Sequence, residues 1–157
     1  MQRITPFLWF DHQAEQAARF YASIFKNSRI GKLARYGDAG PGPKGSVMTV
    51  EFQLAGQEFV ALNGGPHFKF TEAISLVVTC KTQAEVDYYW KKLSAGGKEV
   101  QCGWLKDKYG LSWQVVPTVL GKLMADKDPA RAHRVMQAML KMVKLDVKKL
   151  KQAAMGK

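Results

Sequence analysis

The chain has 157 residues, of which 46% are hydrophobic, and it carries a net charge of +11 at pH 7. This length suits one domain, or two small halves that share a core. No apolar run approaches the roughly twenty residues of a membrane span, and the N-terminal stretch has no signal-peptide pattern. We therefore expect no membrane partner, a cytoplasmic location, and free thiols at Cys80 and Cys102.

The positive charge is concentrated at the C-terminal end. Residues 121–157 hold ten Lys and Arg against three Asp and Glu, a net charge of +7, and residues 1–120 carry +4. Such a segment either binds an anionic partner or is a solvated helix face. We favour the solvated face. Nucleic acid is not expected as a partner, because no aromatic residue lies among these lysines to stack on bases.

Residues 1–66 predict one strand, one helix and three further strands. Asp11 is a suitable N-cap for the helix. In the stretch 47–54 polar and apolar residues alternate, which places Glu51 and Gln53 on one face and Phe52 on the other. The Gly-rich segment 37–45 is a loop. In chain order the predicted segments are a strand over 4–10, a helix over 12–25, and strands over 29–36, 47–54 and 57–62.

The same order of elements restarts after residue 66. A capping box over Thr82–Glu85 begins the second helix, and Lys108–Gly110 forms a turn. Asp128, followed by a proline, and Asp146 are N-caps of two C-terminal helices. The other predicted segments are a strand over 73–80, a helix ending near 96, and strands over 100–105 and 111–116.

This repetition predicts an α+β fold in a single domain spanning residues 1–157. It consists of a first βαβββ module over 1–66, a second over 67–120, and a C-terminal helical extension over 121–157.

Several motifs in both modules resemble a known family. They are Phe7-Leu-Trp-Phe-Asp11, Leu62-Asn-Gly-Gly-Pro66, Glu85-Val-Asp87, Cys102-Gly-Trp-Leu-Lys-Asp107 and Gly110-Leu-Ser-Trp-Gln-Val-Val-Pro117. With them the chain closely resembles the PhnB-like group of the vicinal oxygen chelate superfamily, the glyoxalase/bleomycin-resistance/dioxygenase proteins. The resemblance implies paired modules that curl into a glyoxalase-like barrel, a ligand site in the cup they enclose, and a homodimer.

Enzymes of that superfamily usually hold a divalent metal in the cup. The resemblance places its ligands near Thr5, Asn63, Ser75 and Gln114. Hydroxyl and amide groups are poor ligands for a transition metal, which favours imidazole and carboxylate. We therefore expect no metal site and no cofactor.

Two residues are weak candidates for catalysis. Glu51 is the one carboxylate on these strand interiors that suits an acid, a base or a metal ligand, and His67 lies in the segment that joins the modules. For His67 we favour an ordinary linker histidine. A metal-dependent lyase, isomerase or dioxygenase that uses Glu51, His67 and Gln114 is therefore an alternative function, and whether the protein is an enzyme stays open.

The segment 102–117 is dense in amphipathic side chains, which suits the wall of a small-molecule pocket. A twisted hairpin packed on the core is the alternative, and residue types alone favour it. A buried Gln114 needs a partner, either a ligand or a neighbouring backbone group, and Asn63 either contacts a ligand or caps a turn. Aromatic density with few ionisable groups predicts a small apolar or aromatic ligand. The predicted binding residues are Trp9, Phe52, Asn63, Phe68, Phe70, Ser75, Trp104, Trp113 and Gln114.

Members of the resembled group are often described as methyltransferases of ubiquinone biosynthesis. The common kind of methyltransferase needs a doubly wound sheet and a Gly-rich turn that leads into a helix. The Gly-rich loop 37–45 leads into a strand instead. We therefore expect a small-molecule binding protein rather than such a methyltransferase.

Overall fold

The computed structural model describes residues 2–157, which divide into two compact units that meet at the Phe70–Thr71 bond. These residues form two four-stranded sheets and five helices, which confirms the predicted α+β class. Among them, no helix combines the length and apolar character needed to cross a membrane. The elements are β1 (Phe7–Phe10), α1 (Ala14–Ile24), β2 (Arg29–Arg35), β3 (Val47–Leu54), β4 (Gln57–Asn63), β5 (Ser75–Cys80), α2 (Gln83–Ser94), β6 (Lys98–Glu99), β7 (Trp104–Lys106), β8 (Ser112–Pro117), α3 (Thr118–Met124), α4 (Pro129–Leu140) and α5 (Val147–Ala154).

The first unit is a sheet in the order β1-β4-β3-β2 with helix α1 on one face. The buried face of α1 consists mainly of alanines, which let the helix lie close to the sheet, and Tyr21 fills the remaining space. The Phe52 ring stacks between Tyr21 and Phe59, with ring centroids 6.3 and 5.4 Å away. Because successive strand residues face opposite sides, Glu51 and Gln53 lie on the helix-free face of the sheet.

Helix α1 begins at Ala14, so the prediction that Asp11 caps it is wrong. The N-cap residue is Gln13, whose side chain makes no capping hydrogen bond. Instead, the Ala14 N–H donates to Oδ1 of Asn63 across 2.8 Å. The capping oxygen comes from the end of β4, forty-nine residues along the chain.

The second unit is a sheet in the order β5-β8-β7-β6 with helix α2 on one face. The capping box is confirmed at Thr82, whose Oγ1 accepts from the Glu85 N–H, although the Glu85 carboxylate reaches the N–H of Lys81. The predicted strand over 100–105 is wrong for residues 100–103, because β7 begins at Trp104. Cys102 and Gly103 have φ values of 60° and 82°, which turn the chain between β6 and β7.

The C-terminal helices belong to the second unit. Helices α3, α4 and α5 pack together around Val135, Leu150 and Ala154. Both predicted N-caps are confirmed, because Asp128 accepts from the Ala130 N–H and Asp146 from the Lys149 N–H.

Two connections fasten these helices to the rest of the unit. The N–H groups of Cys102 and Gly103 donate to the carbonyls of Met142 and Val143. The side-chain amide of Gln83 donates to the Leu145 carbonyl and accepts from the Val147 N–H. The extension is therefore hydrogen-bonded both to the β6–β7 turn and to the start of α2.

Candidate functional site

A buried carboxylate fixes the entry into β8. Asp107 is 3% exposed, so its charge requires hydrogen-bond partners. Its Oδ1 accepts from the N–H groups of Tyr109 and Leu111, and its Oδ2 accepts from Nε1 of Trp113 at 2.8 Å. These bonds close the turn after β7 and hold Trp113 in the core on the α2 side. Because neighbouring strand residues alternate, Gln114 lies on the opposite, helix-free face.

Around Gln114 the helix-free face combines one polar pair with apolar side chains. Nε2 of Gln114 donates to Oγ of Ser75 across 2.9 Å. Trp104 on β7 and Val77 on β5 are the register partners of Gln114 on its two sides. Trp104 is half-buried and Val77 is 55% exposed, so apolar surface remains open beside the amide.

The adjacent row of the same face is polar. Ser75, Ser112 and Lys106 are register partners across β5, β8 and β7. Ser112 is 1% exposed, and its Oγ has no hydrogen-bond partner among residues 2–157. The Lys106 ammonium forms an ion pair with Glu72, and its hydrogen bond is the main cause that lowers the pKa of that carboxyl. We call the two rows together the Gln114 face; it consists of Ser75, Val77, Trp104, Lys106, Ser112 and Gln114.

The structure thus brings together three predicted binding residues, Ser75, Trp104 and Gln114. It separates Trp113 from them, because that ring is 3% exposed and packs on the other side of the sheet. The sequence prediction missed Lys106 and Ser112. The period of two along a strand could have found Ser112, which lies two residues before Gln114 on β8.

In the first unit, Trp9 and Phe68 form an aromatic pair. Trp9 lies on the helix-free face of its sheet, and its Nε1 donates to the Gly65 carbonyl. A Cβ at Gly64 would lie 2.4 Å from the Trp9 ring, so the glycine makes room for the indole. Phe68 is 64% exposed and meets Trp9 edge-to-face at 4.8 Å.

The remaining predicted aromatic and amide residues of this unit have structural contacts. Phe70 packs edge-to-face on Phe10 at 5.2 Å. Phe52 is 2% exposed in the core beneath α1, and we therefore leave it out of the proposed site. Asn63 uses both ends of its amide, since Oδ1 caps α1 and Nδ2 donates to the Val47 carbonyl.

Glu51 and His67 line different cavities of the first unit. Glu51 borders a cavity of about 530 Å³ on the helix-free face, together with Arg29, Gln53 and Glu58. His67 borders a second cavity of about 450 Å³, formed by the loop after β2 and the segment after β4. The structure therefore does not bring these two weak catalytic candidates into one cavity.

The donor groups of the Gln114 face do not fit a transition metal. They are one amide, two hydroxyls and an ammonium, and both ends of the Asn63 amide are already used. Among residues 2–157, no group of three or more His, Cys, Asp or Glu side chains is placed to hold a metal ion. Such a metal favours imidazole and carboxylate ligands, whereas this face has no imidazole and the one carboxylate beside it, Glu72, is paired with Lys106.

Solved structures place this architecture in a recognised class. The chain is similar to the fosfomycin resistance protein FosX from Listeria monocytogenes, complexed with Mn(II) and sulfate, at 16% identity over 78% of this chain and 94% of that one, with a TM-score of 0.53. Protein PA1353 from Pseudomonas aeruginosa matches at 19% identity over 74% of this chain and 98% of that one, with a TM-score of 0.62. At these identities the likeness concerns the fold alone, which is of the predicted glyoxalase-like kind.

A closer relationship defines the family within that class. The family profile described as 3-demethylubiquinone-9 3-methyltransferase matches residues 2–116, and the chain belongs to this family, the PhnB-like group. The chain is 41% identical to the PhnB protein from Bacillus cereus over 74% of this chain and 100% of that one, with a TM-score of 0.68. The search among curated proteins gave no match.

Proposed function

We propose that this protein binds a small apolar or aromatic molecule on the Gln114 face without a metal. The observation that supports it most directly is the Gln114–Ser75 pair, placed between Trp104 and Val77. Ligand sites commonly combine apolar walls with a few polar groups that fix orientation. Nε2 of Gln114 is used by Ser75, and its Oε1 has no partner among the described residues, so it can accept from a ligand.

The open apolar surface of this face favours an apolar ligand. Covering apolar surface stabilises a complex by about 25 cal/mol per Å². An indole also offers its face and edge to an aromatic ring, an arrangement that adds about 0.5–1.5 kcal/mol. Trp104 and the exposed Val77 provide this surface, and a hydrogen bond to the Gln114 amide orients the ligand on it.

A ligand screen by thermal shift, followed by calorimetry on the hits, tests the proposal. In Gln114→Leu the apolar surface is kept and the amide is lost, so affinity should fall about tenfold. Trp104→Leu should weaken the same ligands. Thr79→Ala is the matched control, because Thr79 is exposed on the same face, two residues beyond Val77. Unchanged affinity in folded Gln114→Leu and Trp104→Leu proteins would contradict the site.

The absence of a metal is part of the proposal and is tested separately. The protein is purified without chelators, exposed to Ni, Co, Mn, Fe and Zn in turn, and analysed for elements. We expect less than stoichiometric metal, because the donor set has no imidazole and the one carboxylate beside it, Glu72, is paired with Lys106. Stoichiometric metal would overturn this part and favour the metal-dependent lyase, isomerase or dioxygenase.

We do not extend the family description to methyl transfer by this chain. The Gly-rich segment joins β2 to β3, and both sheets contain antiparallel pairs, unlike the doubly wound fold of common methyltransferases. Thermal shift with S-adenosylmethionine checks this point. Saturable stabilisation by that methyl donor would reinstate the methyltransferase.

We propose a homodimer, on the family resemblance, and a solvated role for the basic helices. Three basic residues of this extension already have internal partners: Arg131 pairs with Asp126, Arg134 donates to the Ala153 and Ala154 carbonyls, and Lys144, between α4 and α5, pairs with Asp87. Light scattering measures the first point, and a mass equal to one chain would contradict it. Salt-dependent binding to heparin that disappears in Lys148→Gln/Lys149→Gln would instead favour the anionic partner.

A further inference from the structure

We propose that the ligand of the Gln114 face carries a carboxylate, which replaces Glu72 at the Lys106 ammonium and accepts a hydrogen bond from the Ser112 hydroxyl. This inference rests on the proposed function and narrows it to aromatic or apolar carboxylic acids. It concerns the polar row of the face, whereas Gln114 and Trp104 belong to the apolar row.

The polar row presents hydrogen-bond donors. The Ser75 oxygen accepts from Gln114, so its own proton is available to donate. Ser112 lies between Ser75 and Lys106 in the register, and its buried hydroxyl has no partner within residues 2–157. Two hydroxyls and an ammonium side by side match a carboxylate, which only accepts hydrogen bonds.

Glu72 supplies a carboxylate to this row from within the chain. It lies in the segment before β5, and its side chain is 59% exposed while it contacts Lys106. The contact shows that a carboxylate can reach the ammonium at this place. Exposed ion pairs are weak, so a ligand that is also held by the apolar row can displace Glu72.

The spacing of the two rows suits one small molecule. Successive residues on the same face of a strand are about 7 Å apart along the strand. When an aromatic ring covers Trp104 and Val77, a short linker on the ligand therefore places its carboxylate beside Lys106. The directly opposed pairs Trp104–Gln114 and Lys106–Ser112 place both rows on the same two strands.

Calorimetry with phenylacetate, phenylacetamide and 2-phenylethylamine tests the inference. We expect phenylacetate to bind at least about tenfold more tightly than the other two, because these lack the negative charge. Lys106→Met should remove the preference, and Lys92→Met, an exposed lysine on α2, should keep it. Equal affinity for the acid and the amide, or no binding of phenylacetate, would overturn the inference.

The Glu72→Gln variant tests whether the Glu72–Lys106 ion pair occupies a ligand site or has only a structural role. It removes the internal competitor, so phenylacetate should bind about three- to tenfold more tightly as the fraction of protein with an accessible Lys106 rises. Asp87→Asn is the control, since it removes another carboxylate paired with a lysine, Lys144, in the same unit. Unchanged or weaker binding in Glu72→Gln would contradict the displacement of Glu72.

The two proposals fail in different ways. Acid and amide probes that bind equally, and that both weaken in Gln114→Leu, would refute the carboxylate preference and leave the binding function standing. Probes that bind without any effect of Gln114→Leu or Trp104→Leu would refute both.

Discussion

Replacement of Asp107 by alanine should be among the most destabilising single changes in the second unit. The carboxylate accepts hydrogen bonds of 2.8, 3.1 and 2.8 Å from Tyr109, Leu111 and Trp113. The Leu111 and Trp113 donors are buried, so in Asp107→Ala they lose a charged acceptor without regaining water. Each buried unsatisfied donor costs about 1–3 kcal/mol. With the weaker effect at the half-buried Tyr109 N–H, the free energy of unfolding should fall by about 3–5 kcal/mol.

Asp107→Asn provides an internal comparison. The amide keeps one oxygen for the two backbone donors but directs an N–H₂ at the Trp113 indole, so we expect a loss of about 1–3 kcal/mol. Urea denaturation followed by circular dichroism measures both variants, because tryptophan emission would change with the mutation itself. Asp38→Ala, on a side chain that is 85% exposed, should change stability by less than about 0.5 kcal/mol. A loss below about 1 kcal/mol in Asp107→Ala would refute this account of the turn.

Three further predictions concern the contacts of Asn63, Cys80 and Glu72. Asn63→Ala removes the cap of α1 and a hydrogen bond to β3, so the free energy of unfolding measured by urea denaturation should fall by about 2 kcal/mol. Asn63→Asp keeps the capping oxygen, so its loss should be smaller. Burial, and secondarily Glu85, raises the pKa of Cys80 to about 11, so its thiol should resist Ellman's reagent at pH 8 until the protein is unfolded. The pKa of Glu72 is lowered chiefly by the hydrogen bond from Lys106, so this pair stabilises the fold above the unfolded pKa and loses its effect as the pH falls through the folded one. An NMR titration of Lys106→Met should show the Glu72 pKa moving upward.

Elements set by neighbouring residues were predictable from the sequence. The strand Val47–Leu54 has the predicted bounds, because its alternation and the turn that follows are local signals. The caps at Thr82, Asp128 and Asp146 are also local, since each side chain accepts from an N–H two or three residues ahead.

Features that depend on distant contacts were not predictable in the same way. The cap of α1 comes from Asn63, and no sequence pattern near residue 11 indicates it. The turn at Cys102 and Gly103 is held by carbonyls some forty residues later, so a window of neighbouring residues favours a continuous strand. Trp113 and Gln114 were both expected in the pocket. Consecutive strand residues face opposite sides, but only the position of α2 decides which side forms the core.

The hydrogen bonds of Gln83 with Leu145 and Val147 also affect the order in which parts of the chain fold during synthesis. The internal contacts of the first unit can all form once residue 70 is made. The start of α2, in contrast, awaits a partner 64 residues downstream. At about 5–20 residues per second, translation needs roughly 3–13 s to supply that partner. In that interval the Gln83 side chain can bond only locally, to Asp87 in the same helix, or with water or a chaperone. Synonymous codons that slow translation between residues 84 and 147 should therefore increase aggregation of the nascent second unit while leaving the first unaffected.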